Sequence, residues 1–199
     1  MSGILVISLI IVSAGILTSI ISVYLKRRQA SLQVSRTVTL TERMTEIANV
    51  YMAMDEMVAD GTCDRFIMFK GSNGGSVPRL GSDYNIKVLY PAAKAIDKSD
   101  FIKNYSLVAD GQYVNMLVQI MRERFVGYFS EIMPDGILKS ILRHEKINYC
   151  EVYYLANNKD ELIFCTIESA SANFDENQKL KITLEIERIR RLFAKYYYS

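Results

Sequence analysis

One histidine and three cysteines are all that 199 residues offer of the side chains that usually hold zinc. A multi-ligand zinc site is therefore excluded in nearly every form, because imidazole and thiolate are its ordinary ligands. The odd number of cysteines also argues against a closed disulfide framework. A strong charge of either sign is missing as well. Twenty-four basic side chains against 22 acidic ones leave a formal charge of +2, and nothing in that balance points to nucleic acid. What is present is ordinary: 50% hydrophobic and 23% charged residues, the composition of a folding chain. The length gives room for one compact domain plus extras.

Charge disappears altogether from Ile4 to Leu25, a run dominated by Ile, Leu, Val, Ser and Gly. About 20 apolar residues at 1.5 Å rise span a hydrocarbon core roughly 30 Å thick. Only a helix satisfies its own backbone there, so the run reads as a transmembrane anchor in contact with the lipid bilayer. A cleaved signal peptide wants basic residues ahead of its apolar stretch, and only Met1, Ser2 and Gly3 stand there. Lys26, Arg27 and Arg28 follow instead. The positive-inside rule then places the N-terminus outside and the remaining chain at the cytoplasmic face of the inner membrane. Ser8, Gly15 and Ser22 form a stripe of small residues along the anchor, of the kind that lets two helix backbones approach closely.

The organisation that follows is an anchor with its basic flank (1–28), a juxtamembrane and first domain helix (29–60), and an α/β domain (61–199). Residues 29–59 lack proline and glycine, and Leu40, Met44, Ile47, Tyr51, Met54 and Val58 fall on a heptad-like seam, the mark of one long helix. Asp60-Gly61 ends it. Arg65–Lys70 and Tyr84–Tyr90 read as strands, the second closed by Pro91, with a Gly-rich loop between them. A helix is predicted over 112–121, a strand over 125–133, and a short helix after Pro134 lined by Ile137, Ile141 and His144. Residues 148–155 and 162–169 make a hairpin around Asn157-Asn158-Lys159-Asp160. A last helix from about 175 to 197 carries a second seam of Ile182, Ile186, Ile189, Phe193 and Tyr196. The fold class is α+β: an antiparallel sheet flanked by helices and preceded by one transmembrane helix.

Candidate chemistry is sparse. Asn73, Gly74 and Gly75 offer a glycine-rich nest for an anion, with Lys70, Arg79 and Lys87 nearby. No Walker-type Gly-Lys-Ser/Thr is present, and a hairpin loop whose glycines supply positive φ accounts for the same residues. His144-Glu145 is the one acid–base neighbour pair containing histidine, but no catalytic or metal-binding residues and no cofactor are assigned. Cys150 and Cys165 fall directly opposite each other if Asn157-Asn158 is the turn. In a reducing cytoplasm they read as buried apolar thiols rather than a disulfide. Arg188, Arg190, Arg191 and Lys195 with Tyr196–Tyr198 suit either anionic lipid or the C-terminal pole of a helix dipole.

Asn173-Phe174-Asp175-Glu176, at the junction of the last strand and helix, resembles the Phe-then-acidic helix start of many GAF domains, and the layout from Val38 to Tyr197 is similar to that family. The full Asn-Lys…Phe…Asp-Glu signature of its cyclic-nucleotide-binding members is missing. The runs Lys70–Pro78 and Asp110–Leu117 are similar to those of small uncharacterised phage and bacterial proteins. The resemblance implies a sensor fold, with pockets between one sheet face and its covering connections. A ligand, small and anionic, is then expected beside Lys70, Asn73, Gly74, Gly75, Arg79, Tyr84 and Tyr113. The resemblance also implies a homodimer built from the first and last helices. The expected function is a membrane-tethered, non-enzymatic GAF-like sensor or protein-docking module. The alternatives are a phage accessory scaffold without a small ligand and an enzyme acting on a nucleotide or phosphoester.

Overall fold

The computed structural model describes residues 40–72, 84–94, 102–103, 105–158, 161–171 and 173–197. The run Ile4–Leu25, expected to be an anchor, lies outside them, and among the described residues no helix is long and apolar enough to cross a membrane. By its internal contacts the chain divides into two units, residues 1–46 and 47–199.

Helix α1 covers residues 40–59. Strands β1 (Arg65–Ser72), β2 (Tyr84–Ala93) and β3 (Leu107–Ala109) lead to helix α2 (Gly111–Glu123). Strand β4 (Phe125–Phe129), helix α3 (Ile137–His144), strands β5 (Tyr149–Asn157) and β6 (Glu161–Ser169) and helix α4 (Glu176–Tyr197) complete the order. The six strands form one sheet in the order β3-β2-β1-β6-β5-β4, and every neighbouring pair is antiparallel. The expected α+β architecture is therefore observed.

Two cores lie on the two faces of this sheet, as alternation along each strand requires. On one face Ile67, Phe69, Ile86, Val152 and Phe164 meet Val114, Leu117 and Ile120 of α2 and Leu138 and Leu142 of α3. On the other, Phe66, Met68, Ile163, Cys165 and Ile167 meet Met54 and Val58 of α1 and Ile182, Ile186 and Ile189 of α4. The central strands β1 and β6 are buried on both faces, which is why they read as nearly continuous apolar runs.

Several expectations shift. Strand β2 continues through Pro91 to Ala93, with Pro91 opposite Ile67 of β1. Among the described residues strand β3 pairs only with Tyr84–Ile86, so none of them pairs with that side of β2 at residue 91, where a missing N–H costs no ladder bond. Strand β4 stops at Phe129, because Met133 N–H bonds back to the Phe129 carbonyl and turns the chain. In α3 the buried positions are Leu138 and Leu142 rather than Ile137, Ile141 and His144. The helix is thus rotated by one residue from the expected phase.

The β5–β6 register also differs. Cys150 lies opposite Glu168 and Tyr153 opposite Cys165, with an irregularity between Tyr154 and Ala156. Asn158 closes the loop, donating its N–H to the Glu161 carbonyl and accepting the Glu161 N–H on its side chain, so the turn sits about two residues later than Asn157-Asn158. The slip is odd, and an odd slip moves a side chain to the other face. Cys150 belongs to the α2 face and Cys165 to the α4 face. All three cysteines are free and buried, as expected of small apolar thiols.

Candidate functional site

Asp110 follows directly after β3, and its carboxylate holds two helices at once. Oδ1 accepts the Tyr113 N–H of α2 at 2.8 Å, and Oδ2 accepts the Ile137 N–H of α3 at 2.8 Å. Both helices open with unsatisfied N–H groups and a positive dipole end, so one aspartate answers both. Gly136 makes room for it, since a Cβ there would fall 3.0 Å from Oδ2 and 3.2 Å from Cβ of Gln112.

Beside this double cap opens a cavity of about 230 Å³ between α2 and α3. Gln112, Asn115, Met116 and Gln119 of α2, Tyr128 of β4, Met133 and Pro134 of the connection, and Leu138 and Lys139 of α3 line it. Gln119 is engaged: its Oε1 accepts the Tyr128 hydroxyl at 3.1 Å and its Nε2 donates to Glu123 at 3.1 Å. Lys139 donates to Asp135 at 2.8 Å. Gln112 and Asn115 are exposed, and among the described residues neither side chain makes a hydrogen bond. The cleft thus offers two unengaged amides above an apolar floor. Its anion-attracting helix ends are already neutralised by Asp110, so its chemistry suits a small neutral molecule with hydrogen-bonding groups.

Behind α3, on the same sheet face, lies a buried polar cluster. Arg65 of β1 donates through Nη2 to Glu145 Oε2 at 2.8 Å and through Nη1 to the Tyr105 hydroxyl at 3.2 Å. Its Nη1 lies 3.7 Å from Glu168 Oε2. Tyr105 donates to the same Glu168 oxygen at 3.2 Å, and Thr166 donates to the other at 2.9 Å. Glu168 is fully buried. Burial pushes its carboxyl up to about 7, although Arg65 and the two hydroxyls pull the other way. The cluster ties the end of α3 to β1 and β6, and so fixes one wall of the cleft.

Of the residues expected to hold a ligand, Tyr84 and Tyr113 come together in the α2-side core, both buried. Lys70 projects from the other face of β1 and pairs with Glu161 at 2.7 Å. Asn73, Gly74, Gly75 and Arg79 lie outside the described residues. The space between the sheet and α2 is filled by Phe69, Tyr84, Tyr105, Tyr113 and Phe164, each at most 3% exposed. Phe69 stacks on Phe164 with centroids 5.0 Å apart, and Tyr113 meets Phe164 edge-on. The sole histidine, His144, is exposed at the end of α3, and the neighbouring Glu145 is held by Arg65. Ser140 donates its hydroxyl to the Gly136 carbonyl. Among the described residues no group of His, Cys, Asp and Glu side chains is placed to hold a metal ion.

Sequence reasoning passed over Asp110, Arg65 and Glu168. Asp110 carried a usable signal, an aspartate immediately ahead of a helical period. Arg65 and Glu168 carried none, because their partnership depends on the β1–β6 register.

No protein-family model matches this sequence, and no curated protein matches it. Solved structures do resemble it. The GAF domain/HD domain protein from Geobacter sulfurreducens superposes with a TM-score of 0.54 at 9% identity, over 81% of this chain and 97% of that one. A phycocyanobilin-bound GAF domain from a cyanobacterial phytochrome gives 0.54 at 9% identity, over 82% and 93%. The GAF domain of a two-component sensor histidine kinase from Bacillus halodurans gives 0.51 at 9% identity, over 77% and 95%. The fold is GAF-like. At this identity the likeness concerns the fold.

Proposed function

We propose that this chain is a membrane-tethered, non-enzymatic GAF-like sensor that takes a small neutral ligand in the α2–α3 cleft. The observation that carries the reading is the pair of unengaged amides, Gln112 and Asn115, above a cavity of about 230 Å³ whose helix ends Asp110 has already neutralised. The aromatic packing under α2 directs a ligand away from the sheet surface and toward this outer cleft. Tethering rests on the uncharged run Ile4–Leu25 and its basic flank, with the domain on the cytoplasmic side.

A homodimer fits the same picture. Two copies anchored in one plane meet at raised effective concentration, and Leu180 and Leu184 are exposed apolar positions on α4. The inner positions of both seams, Met54, Val58, Ile182, Ile186 and Ile189, are used in the chain's own core. A dimer would therefore form through the outer row of α4.

The test is a thermal-shift screen of the full chain in detergent against neutral metabolites, nucleotides and phosphoesters. A saturable shift from a neutral compound, lost in the double variant Gln112→Ala/Asn115→Ala, supports the sensor. Turnover of a phosphoester supports the enzyme alternative instead, and silence across the library supports a ligand-free scaffold.

A further inference from the structure

Arg65 stands between two carboxylates that one guanidinium cannot serve equally. Its Nη2 donates to Glu145 Oε2 at 2.8 Å and to the Glu145 carbonyl at 3.4 Å, while its Nη1 lies 3.7 Å from Glu168 Oε2. The two carboxylates differ in their access to water: the Glu145 side chain is 17% exposed and that of Glu168 is fully buried. With both ionised, the cluster holds one negative charge in excess. With a proton on either, it balances. Carboxylates that compete for one cation drive a proton onto one of them, and the one without water takes it. Burial accordingly raises the Glu168 carboxyl to about 7, and Glu145 adds to the rise against the pull of Arg65. The hydroxyls of Tyr105 and Thr166, at 3.2 and 2.9 Å, can turn to accept from the protonated form.

The other groups around Glu168 supply no second cation. Strand β5 places Cys150 opposite it, and α2 contributes Tyr113. The chain ahead of β1 contributes Cys63 and Asp64, whose N–H bonds to the Glu168 carbonyl. Burial keeps both thiols and the phenols of Tyr105 and Tyr113 protonated, and the Asp64 carboxylate is occupied by the Ala170 N–H. Among the described residues Arg65 alone forms an ion pair with Glu168.

Glu145 ends α3. Its N–H bonds to the Ile141 carbonyl, and the Ile147 N–H bonds to the Leu142 carbonyl around Lys146, a non-glycine residue at φ 56°. That left-handed turn is strained, and a cation at the negative end of the helix steadies it. Asp110 ties the other end of α3.

We propose that Arg65 is a proton-operated latch on α3: it holds Glu145 while Glu168 carries a proton, and passes to Glu168 when that carboxyl ionises. Glu145 is the partner that can be released, because water replaces the guanidinium around it. An ionised Glu168 has no other compensation. The end of α3 is therefore held in acid and freed as pH rises through the titration of Glu168. Ligand affinity in the α2–α3 cleft should then weaken with rising pH; that consequence rests on the sensor reading, whereas the latch is tested without a ligand.

The test follows glutamate carboxyl carbon and backbone amide resonances of the full chain in micelles from pH 5 to 8.5. His144, the one histidine, neighbours Glu145, so every sample carries His144→Gln. The expected result is that the Glu145 and Glu168 carboxyl resonances move with one shared midpoint. Across it, the order parameters of the Glu145 and Lys146 amides fall by at least about 0.1 from a rigid value of about 0.85. In Glu168→Gln the Glu145 step at that midpoint disappears and the end of α3 stays rigid throughout. Glu145→Gln removes the competing carboxylate and should lower the Glu168 midpoint by about one pH unit or more, a tenfold change in proton affinity. That variant decides the matter if Glu168→Gln fails to fold. A Glu145 resonance indifferent to the Glu168 titration, mobility that rises equally in Glu168→Gln, or a Glu168 midpoint unmoved by Glu145→Gln overturns the latch.

Discussion

Gly71 of β1 and Tyr84 of β2 compete for one volume: a Cβ on residue 71 would fall 2.3 Å from Cε1 of the Tyr84 ring. The tyrosine is fully buried there, and its ring helps to fill the space between the sheet and α2. Gly71→Ala must displace that ring, and the overpacking should cost about 1–3 kcal/mol. With Tyr84→Ala already in place the same substitution should cost little. Urea denaturation of the four-member cycle should therefore show a coupling above about 1 kcal/mol. Equal costs in both backgrounds would show that the ring does not occupy the glycine's space.

Glu168 should give the domain a distinctive pH dependence. Its folded carboxyl is raised to about 7, above its unfolded value. The folded state then holds the proton more tightly, so this group's contribution to stability is full below about 4.5. It falls as pH rises from about 4.5 through 7, by an amount on the order of 3 kcal/mol. Glu168→Gln should flatten the slope of melting temperature between pH 5 and 7.5. Arg65→Met should steepen it, because the buried anion loses its cation. A slope that is the same in wild type and Glu168→Gln would assign the titration elsewhere.

Two helix caps allow a comparison within one protein. Asp175 accepts the Gln178 N–H, and Gln178 accepts the Asp175 N–H in return, a reciprocal cap serving α4 alone. Asp110 serves both α2 and α3. Asp175→Ala should cost about 1 kcal/mol and Asp110→Ala roughly twice that. Chemical denaturation measures both, and equal losses would show that the second bond of Asp110 contributes nothing.

The thiols should be inert in the folded state. Cys150 and Cys165 lie on opposite faces of the sheet, and burial raises both thiols well above their ordinary range and Cys63 to about 12. An aromatic disulfide reagent should label none of the three over minutes in buffer and all three in urea. Rapid labelling, or a Cys150–Cys165 cross-link on mild oxidation, would contradict the observed register.

Those cysteines mark where the sequence stops being legible. The short apolar run in Arg65–Lys70 and the helical period in 112–121 are local signals, and both elements formed where expected. The pairing of β5 with β6 depends on a turn centred two residues later and an irregularity near Leu155, which no local period reports. The same limit hid the site. Gln112 and Asn115 share a helix face that the sequence displays, but the opposing α3 wall is set by Asp110 and by the Arg65–Glu145 bond between residues 80 apart in the chain.

The most direct measurement of the sensor proposal is amide chemical-shift mapping of the full chain in micelles, titrated with the best compound from the thermal-shift screen. The expected result is a saturable set of shifts centred on Gln112, Asn115 and Tyr128, absent in Gln112→Ala/Asn115→Ala. Shifts that instead centre on Lys70 and Tyr84, or that persist in the double variant, would contradict a ligand site between α2 and α3.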